Sequence, residues 1–228
     1  PNLGAALDAF EEYQHQSYSV AWIDCIAGGR NLGRSILTVG EHSDDGHFEA
    51  RGAATLRVPI DAPNWALNPL TMRAFNGVYY AKELGSLARA TVPFGTFFYP
   101  LDGIRQWNRA YGRRGFVQYQ FLLPLEAGRG ALGKTLSKIA ESRMGSTLAV
   151  LKVFGAGDDF LLSFPGPGYT LALDFAVSEA SFRLMNELDR LVLDFGGRLN
   201  LTKDTRMSAA TFRAGYANWQ EFEAVRKR

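Results

Sequence analysis

Polar and apolar residues alternate with a period of two along Phe116-Val-Gln-Tyr-Gln-Phe-Leu-Leu123. This predicts a strand with Val117, Tyr119, Phe121 and Leu123 on one face and Phe116, Gln118, Gln120 and Leu122 on the other. The period then changes to helical over 131–144, where Leu132, Leu136, Ile139 and Ala140 share a stripe. Further strands are expected at Thr147–Phe154, Tyr169–Phe175 and Arg198–Thr202. A second helix is expected over 178–195, with Ser178 as its N-cap and Gly196-Gly197 as its stop. Residues 115–203 therefore read as a β-α-β-β-α-β core, a ferredoxin-like antiparallel sheet with helices on one face and an overall α+β class. The N-terminal pattern extends that core with a helix at 2–14 and strands at Tyr18–Cys25 and Ser35–Val39. A helix over 69–85 ending at Gly85, a strand at Arg89–Phe94 and a peripheral helical segment over 208–228 complete the expectation. The aromatic, Gly- and Asn-bearing segment between them reads as an irregular excursion beside a cleft.

The face opposite the helices is where the chemistry is expected. Gln118 and Gln120 lie on it by parity, Lys152 interrupts an apolar strand, and Thr170, Ala172 and Asp174 share a parity in the next strand. A bland reading exists for each. Strand glutamines are commonly solvated, a lysine among apolar neighbours extends its ammonium to water, and Asp174 reads as a surface charge. Lys203 follows the last strand; strict alternation would send it to the helix side with Leu199 and Leu201, but the pleat need not continue into a loop, so this argument leaves its direction open.

Charge narrows the partners. The chain of 228 residues carries a net charge of +2, too small for bulk nucleic-acid binding. Its single cysteine, Cys25, excludes an internal disulfide and fits a reducing, cytoplasmic setting. No apolar run approaches the about 18 residues of a membrane-spanning helix. The chain begins at Pro1, which reads as a processed or excised segment. Glu41-His-Ser-Asp-Asp-Gly-His47 places two His beside two Asp, but the spacing matches no strong metal-ligand motif and reads as a polar turn.

One motif points elsewhere. Gly128-Arg-Gly-Ala-Leu-Gly-Lys-Thr135 matches the phosphate-loop pattern, and Leu191-Val-Leu-Asp194 resembles the magnesium-holding segment of such proteins. A phosphate-loop strand lies inside a parallel sheet and is apolar on both faces, whereas the strand here alternates Gln118 and Gln120 with apolar residues. Pro124-Leu-Glu-Ala127 also separates strand from loop, and Asp194 ends a helical period. The segment is expected to be the loop and first turn of an ordinary helix, with nucleotide binding through Lys134 as an alternative. A non-catalytic ferredoxin-like binding module is another.

The residues themselves resemble a known family. Ser19-Val-Ala-Trp-Ile-Asp24, Phe98-Tyr-Pro-Leu-Asp-Gly-Ile-Arg-Gln-Trp-Asn-Arg-Ala-Tyr-Gly112, Gly115-Phe-Val-Gln-Tyr-Gln-Phe121, Leu162-Ser-Phe-Pro-Gly-Pro-Gly-Tyr169, Glu187-Leu-Asp-Arg190 and Thr202-Lys-Asp-Thr-Arg206 are similar to the decaprenylphosphoryl-β-D-ribose 2-oxidase family, flavoenzymes of the vanillyl-alcohol-oxidase type. The resemblance implies that residues 1–228 are the substrate-binding domain of an FAD-linked oxidoreductase. The glycine-rich FAD-binding domain is then absent from this chain, and the isolated segment is expected to be inactive and flavin-free. The parent would oxidise a secondary alcohol of a sugar, carried on a polyprenyl phosphate, to a ketone that an NADH-dependent ketoreductase partner then reduces. Its location would be cytoplasmic, peripheral to the membrane.

By the same resemblance Lys203 is the catalytic cation beside the flavin, and Gln118 and Gln120 line the pocket over the ring, Gln120 also touching the cofactor. Lys152 meets a hydroxyl or phosphate oxygen, and Trp22 and Phe154 are apolar walls. Three positions depart from mycobacterial members: Ala172 stands for a cysteine, Thr170 for an asparagine and Phe98 for a tyrosine. Losing a hydrogen-bonding group changes substrate choice by roughly 1–3 kcal/mol.

Overall fold

The computed structural model describes residues 1–44, 46, 56–63, 65–83, 89–146, 148–203 and 206–227. The strand predicted from alternation is β5 (Phe116–Pro124) in a larger sheet. Its companions are β1 (Tyr18–Ile23), β2 (Ser35–Gly40), β6 (Ala149–Phe154), β7 (Gly168–Ala176) and β8 (Arg198–Leu199). The sheet order is β2-β1-β6-β7-β5-β8, and every neighbouring pair is antiparallel. With helices α1 (Leu3–Glu12), α4 (Gly128–Ser142) and α5 (Glu179–Asp194), the class is α+β. From β5 onward the elements follow the expected order β5-α4-β6-β7-α5-β8.

One sheet face is dry. Phe121, Leu123, Leu151, Leu171, Leu173 and Ile23 are fully buried beneath Leu132, Leu136 and Ile139 of α4, Leu188 and Val192 of α5, and Leu7 of α1. Each such side chain contributes about 1.5–3 kcal/mol by leaving water, so the parity of every strand is strongly specified. The helix ends are determined locally. Asn2 caps α1 by accepting from Ala5 N, and Ser178 and Ser181 form a reciprocal capping box on α5. Arg129 of α4 pairs with Asp8 and Glu11 of α1, joining the N-terminal helix to the core.

A second group of elements lies beyond β1 and β2. Short strands β3 (Leu56–Arg57) and β4 (Ile104–Arg105) pair in parallel, and helices α2 (Pro69–Glu83) and α3 (Phe94–Phe98) lie between them in sequence. Asn76 of α2 is fully buried and donates to Asp24, which also receives Arg34, so α2 is tied to the end of β1. At the C-terminus, α6 (Ala209–Gly215) and α7 (Trp219–Arg226) form the expected helical segment.

Two expectations fail. Residues 89–93 form no strand; the chain enters α3 at Phe94 instead. Nor does the last strand reach Thr202: pairing stops at Leu199, and Leu201–Lys203 form a single 3₁₀ turn. The cause is Asn200, whose Oδ1 accepts from Thr202 N at 3.0 Å and bends the chain out of the pleat. The helix end expected at Gly85 lies outside the described residues, as do Asp45 and His47 of the polar turn.

Candidate functional site

The residue directly opposite Gln120 on β7 is Ala172, which faces Val150 on β6, which in turn faces Trp22 on β1. This row crosses four strands on the face away from α4 and α5. A parallel row carries Lys152, Thr170, Leu122 and Arg198, and a third carries Asp174 and Gln118. The sheet thus gathers Gln118, Gln120, Lys152, Thr170, Ala172 and Trp22 on one surface. Phe154 shares that parity at the end of β6 and packs edge-on against Phe164, with centroids 6.2 Å apart. Phe98 is not on the sheet; it projects from α3 onto Tyr18 of β1, 4.8 Å between ring centroids. Trp22 meets Tyr79 of α2 at 4.9 Å, so α2 borders the open face at its β1 end.

Lys203 reaches this surface because the 3₁₀ turn breaks the alternation. Its Nζ donates to Gln118 Oε1 at 3.0 Å. Gln118 Nε2 donates onward to Asp174 Oδ1 at 3.0 Å. A second chain runs beside the first: Asn200 Nδ2 donates to Gln120 Oε1 at 2.9 Å, and Gln120 Nε2 donates to Thr170 Oγ1 at 3.0 Å. Both amides therefore have a definite direction, and each retains one N–H and one lone pair for a ligand.

Asp174 is the residue that sequence reasoning undervalued. It is 3% exposed, not a surface charge. Burial pushes its carboxyl up from 3.8 to about 6, partly offset by the Gln118 hydrogen bond and by Lys203. Its Oδ2 is buried and makes no hydrogen bond among the described residues. Lys152 is held below the usual lysine range, first by partial burial and then by repulsion from Lys203. Asn200 was also missed; its signal was the Asn-x-Thr pattern of a local side-chain turn at the end of the last strand.

Three residues beyond Lys203, Arg206 is clasped onto α5. Arg206 donates to both oxygens of Asp189 on α5, each at 2.7 Å, and Tyr119 Oη donates to Asp189 Oδ1 at 2.9 Å. Tyr119 is on the helix side of β5, between Gln118 and Gln120 in sequence. The clasp thus connects both faces of one strand.

Other candidate chemistry recedes. The phosphate-loop motif lies wholly within α4, which begins at Gly128. Thr135 is fully buried with its hydroxyl on Ala131 O, and Lys134 Nζ sits 5.7 Å from the centroid of Phe195. Beyond its first turn the helix consumes its backbone N–H groups, so those of Leu132–Thr135 are not free to wrap a phosphate. Burial pushes the Cys25 thiol up to about 12, which removes it as a thiolate nucleophile. Among the described residues no group of three or more His, Cys, Asp or Glu could hold a metal ion. A wider cleft of about 460 Å³ opens at the start of β5, but its Arg109 is already paired with Asp61 at 2.7 Å.

A two-sided sheet with amides and a lysine on its open face is compatible with many ligands, and comparison with known proteins narrows the choice. Over 92% of its length the chain is 36% identical to decaprenylphosphoryl-beta-D-ribose oxidase of Mycolicibacterium smegmatis. The chain is a homologue of this oxidase. The resemblance carried by the separate motifs is thereby borne out across nearly the whole sequence. The chain spans 47% of the oxidase's length, so it corresponds to about half of such a protein. A Streptomyces coelicolor protein named only as an uncharacterized protein in the mprA 5' region is 26% identical over 92% of the chain, which spans 61% of it. No protein-family model matches the chain. Among the described residues, no helix of this oxidase homologue is long and apolar enough to cross a membrane.

Proposed function

We propose that the chain is the substrate-binding part of an FAD-dependent oxidoreductase that oxidises a secondary alcohol of a sugar to a ketone. The single observation that carries this reading is the directed pair of amide chains, one ending on Lys203 and the other on Asn200, on the open face of a sheet homologous to an oxidase. The residues suit a flavin and a polyol together. The face is broad, its central row has small or apolar members in Ala172, Val150 and Trp22, and its polar groups are amides, a hydroxyl, the Asp174 carboxyl and the cations Lys152, Lys203 and Arg198. FAD, when bound, would supply the hydride acceptor. Gln118 and Gln120 would orient sugar hydroxyls through their remaining N–H and carbonyl valences without acting as bases. Lys203 holds positive charge at the end of the amide chain, where it favours any negative charge that develops against this face. Lys152 would meet an anionic or hydroxyl oxygen of the substrate's carrier, and a polyprenyl phosphate is the proposed carrier. The ketone product would pass to an NADH-dependent reductase.

The test uses the complete protein that carries this chain, loaded with FAD and mixed anaerobically with candidate sugars, including a polyprenylphosphoryl ribose. Bleaching of the flavin absorbance by one of them is expected, and Lys203→Ala should slow it by roughly 10²-fold or more. Absence of bleaching with any secondary-alcohol sugar would overturn the oxidoreductase reading. An unchanged rate in Lys203→Ala would remove that residue from the chemistry.

A further inference from the structure

We infer that Asp174 is a positioning residue: it anchors the amide of Gln118 so that the Lys203 ammonium meets a fixed carbonyl on the open face. The inference rests on the reading of that face as the reaction surface, and it deepens it by adding a residue that the pattern of candidate ligand groups does not include.

The argument is one of hydrogen-bond sense. An ionised aspartate only accepts, and a lysine ammonium only donates. Gln118 lies between the two, with Nε2 3.0 Å from Asp174 Oδ1 and Oε1 3.0 Å from Lys203 Nζ. Turning the amide over would set its oxygen against the carboxylate and its N–H against the ammonium, so only one direction satisfies both ends. Lys203 alone would favour the same direction, but it stands on a turn and would carry a loose glutamine with it. Asp174 supplies the rigid end. It is almost fully buried on the central strand β7, paired in register with Gln118, and its backbone N–H donates to Ser146 Oγ at 3.1 Å. Ser146 is itself held by Leu148, accepting from its N–H at 3.0 Å and donating to its carbonyl at 2.6 Å. Charge-assisted bonds at both ends make this three-residue relay stronger than a chain of neutral amides.

Such a burial costs stability if its only purpose is structural. An isoleucine or leucine at position 174 would pack on the sheet without an unpaired Oδ2. A positioning role accounts for the carboxylate, because removal of either end frees the glutamine.

The experiment reads Lys203 directly, in the chain of 228 residues, by its rate of modification with an amine-acylating reagent followed by mass spectrometry. Asp174→Leu should raise the Lys203 rate roughly fivefold, whereas Asp174→Asn, which keeps an acceptor for Gln118, should stay within about twofold of wild type. In a Gln118→Leu background, Asp174→Leu should change the rate by less than about twofold, because the coupling passes through the amide. An unchanged Lys203 rate in Asp174→Leu overturns the inference. So does an effect that persists without Gln118, which would mean a through-space charge, or an Asp174→Asn variant as reactive as Asp174→Leu. A melting temperature no lower than that of wild type and an unchanged Lys152 rate show that the fold is retained. If Asp174→Leu does not fold, amide exchange in the wild-type chain decides. The Gln118 Nε2 protons should exchange roughly tenfold slower than those of exposed Gln14, and equal rates would overturn the inference. None of these readouts needs flavin, so their failure is separable from failure of the flavin-reduction test.

Discussion

At the scale of single residues, the open face holds one titration that reports on its own construction. Asp174 has its carboxyl raised from 3.8 to about 6 by burial. A raised carboxyl favours the folded state most when it is protonated. Its contribution is present at low pH and is lost as pH rises through about 6. Converted by linkage, that rise corresponds to at most about 3 kcal/mol between pH 4 and pH 8. The expected outcome is that Asp174→Asn gains stability relative to wild type as pH is raised across this window. Urea melts of both proteins at a series of pH values check it, and parallel pH profiles would show that Asp174 does not ionise in isolation from solvent. Parity alone made Gln118, Gln120 and Lys152 legible as open-face residues. The burial of Asp174 was not legible, because it arises in a folded sheet whose polar neighbours at this position, Gln118 and Lys203, come from 56 and 29 residues away along the chain.

At the scale of elements, the decisive feature is where regular structure stops. β8 ends at Leu199 because Asn200 captures Thr202 N, and the resulting turn carries Lys203 to the open side. A sequence argument from strict alternation sends Lys203 to the opposite face, since it cannot see an interruption made by one side chain. Three residues beyond Lys203, Arg206 pairs with Asp189, and their side chains are 13% and 7% exposed. Removing one partner of a buried ion pair typically costs about 3–5 kcal/mol because the other charge is left uncompensated. Asp189→Ala is therefore expected to destabilise the chain by that order, measured by urea unfolding. It should also increase the modification rate of Lys203, because Arg206, three residues on, loses its two bonds to Asp189 and is held more weakly on α5 through Asn186. A cost below about 1 kcal/mol would place this pair among ordinary surface contacts. The phosphate-loop motif teaches the converse lesson. Its eight residues satisfy the pattern, yet they are helix from the first glycine, so none of its function follows.

At the scale of the whole molecule, the sheet separates two kinds of interaction. The helix side is dry and close-packed around Phe121, Leu171 and Leu173, all fully buried. Phe121→Ala removes the largest of these and is expected to cost about 3–5 kcal/mol in urea unfolding, with a lowered midpoint and an unchanged slope. A loss under about 1 kcal/mol would mean that the site collapses to fill the space. The open side contributes little to that apolar core and bears the hydrogen-bonded groups instead. This division is why the face can hold a buried aspartate, two directed amides and two lysines near one another: stability comes from the other side of the same strands.

The sequence by itself determined the α+β class, the order of elements from β5 to β8, the apolar parity of each central strand and the kinship with an oxidase. These follow from period, capping residues and local motifs, which depend on neighbours within a few positions. Tertiary structure decided the contact of Lys203 with Gln118 on the open face, the burial of Asp174 and the pairing of Arg206 with Asp189. Each depends on groups brought together from distant parts of the chain, and on loss of water that no local pattern records.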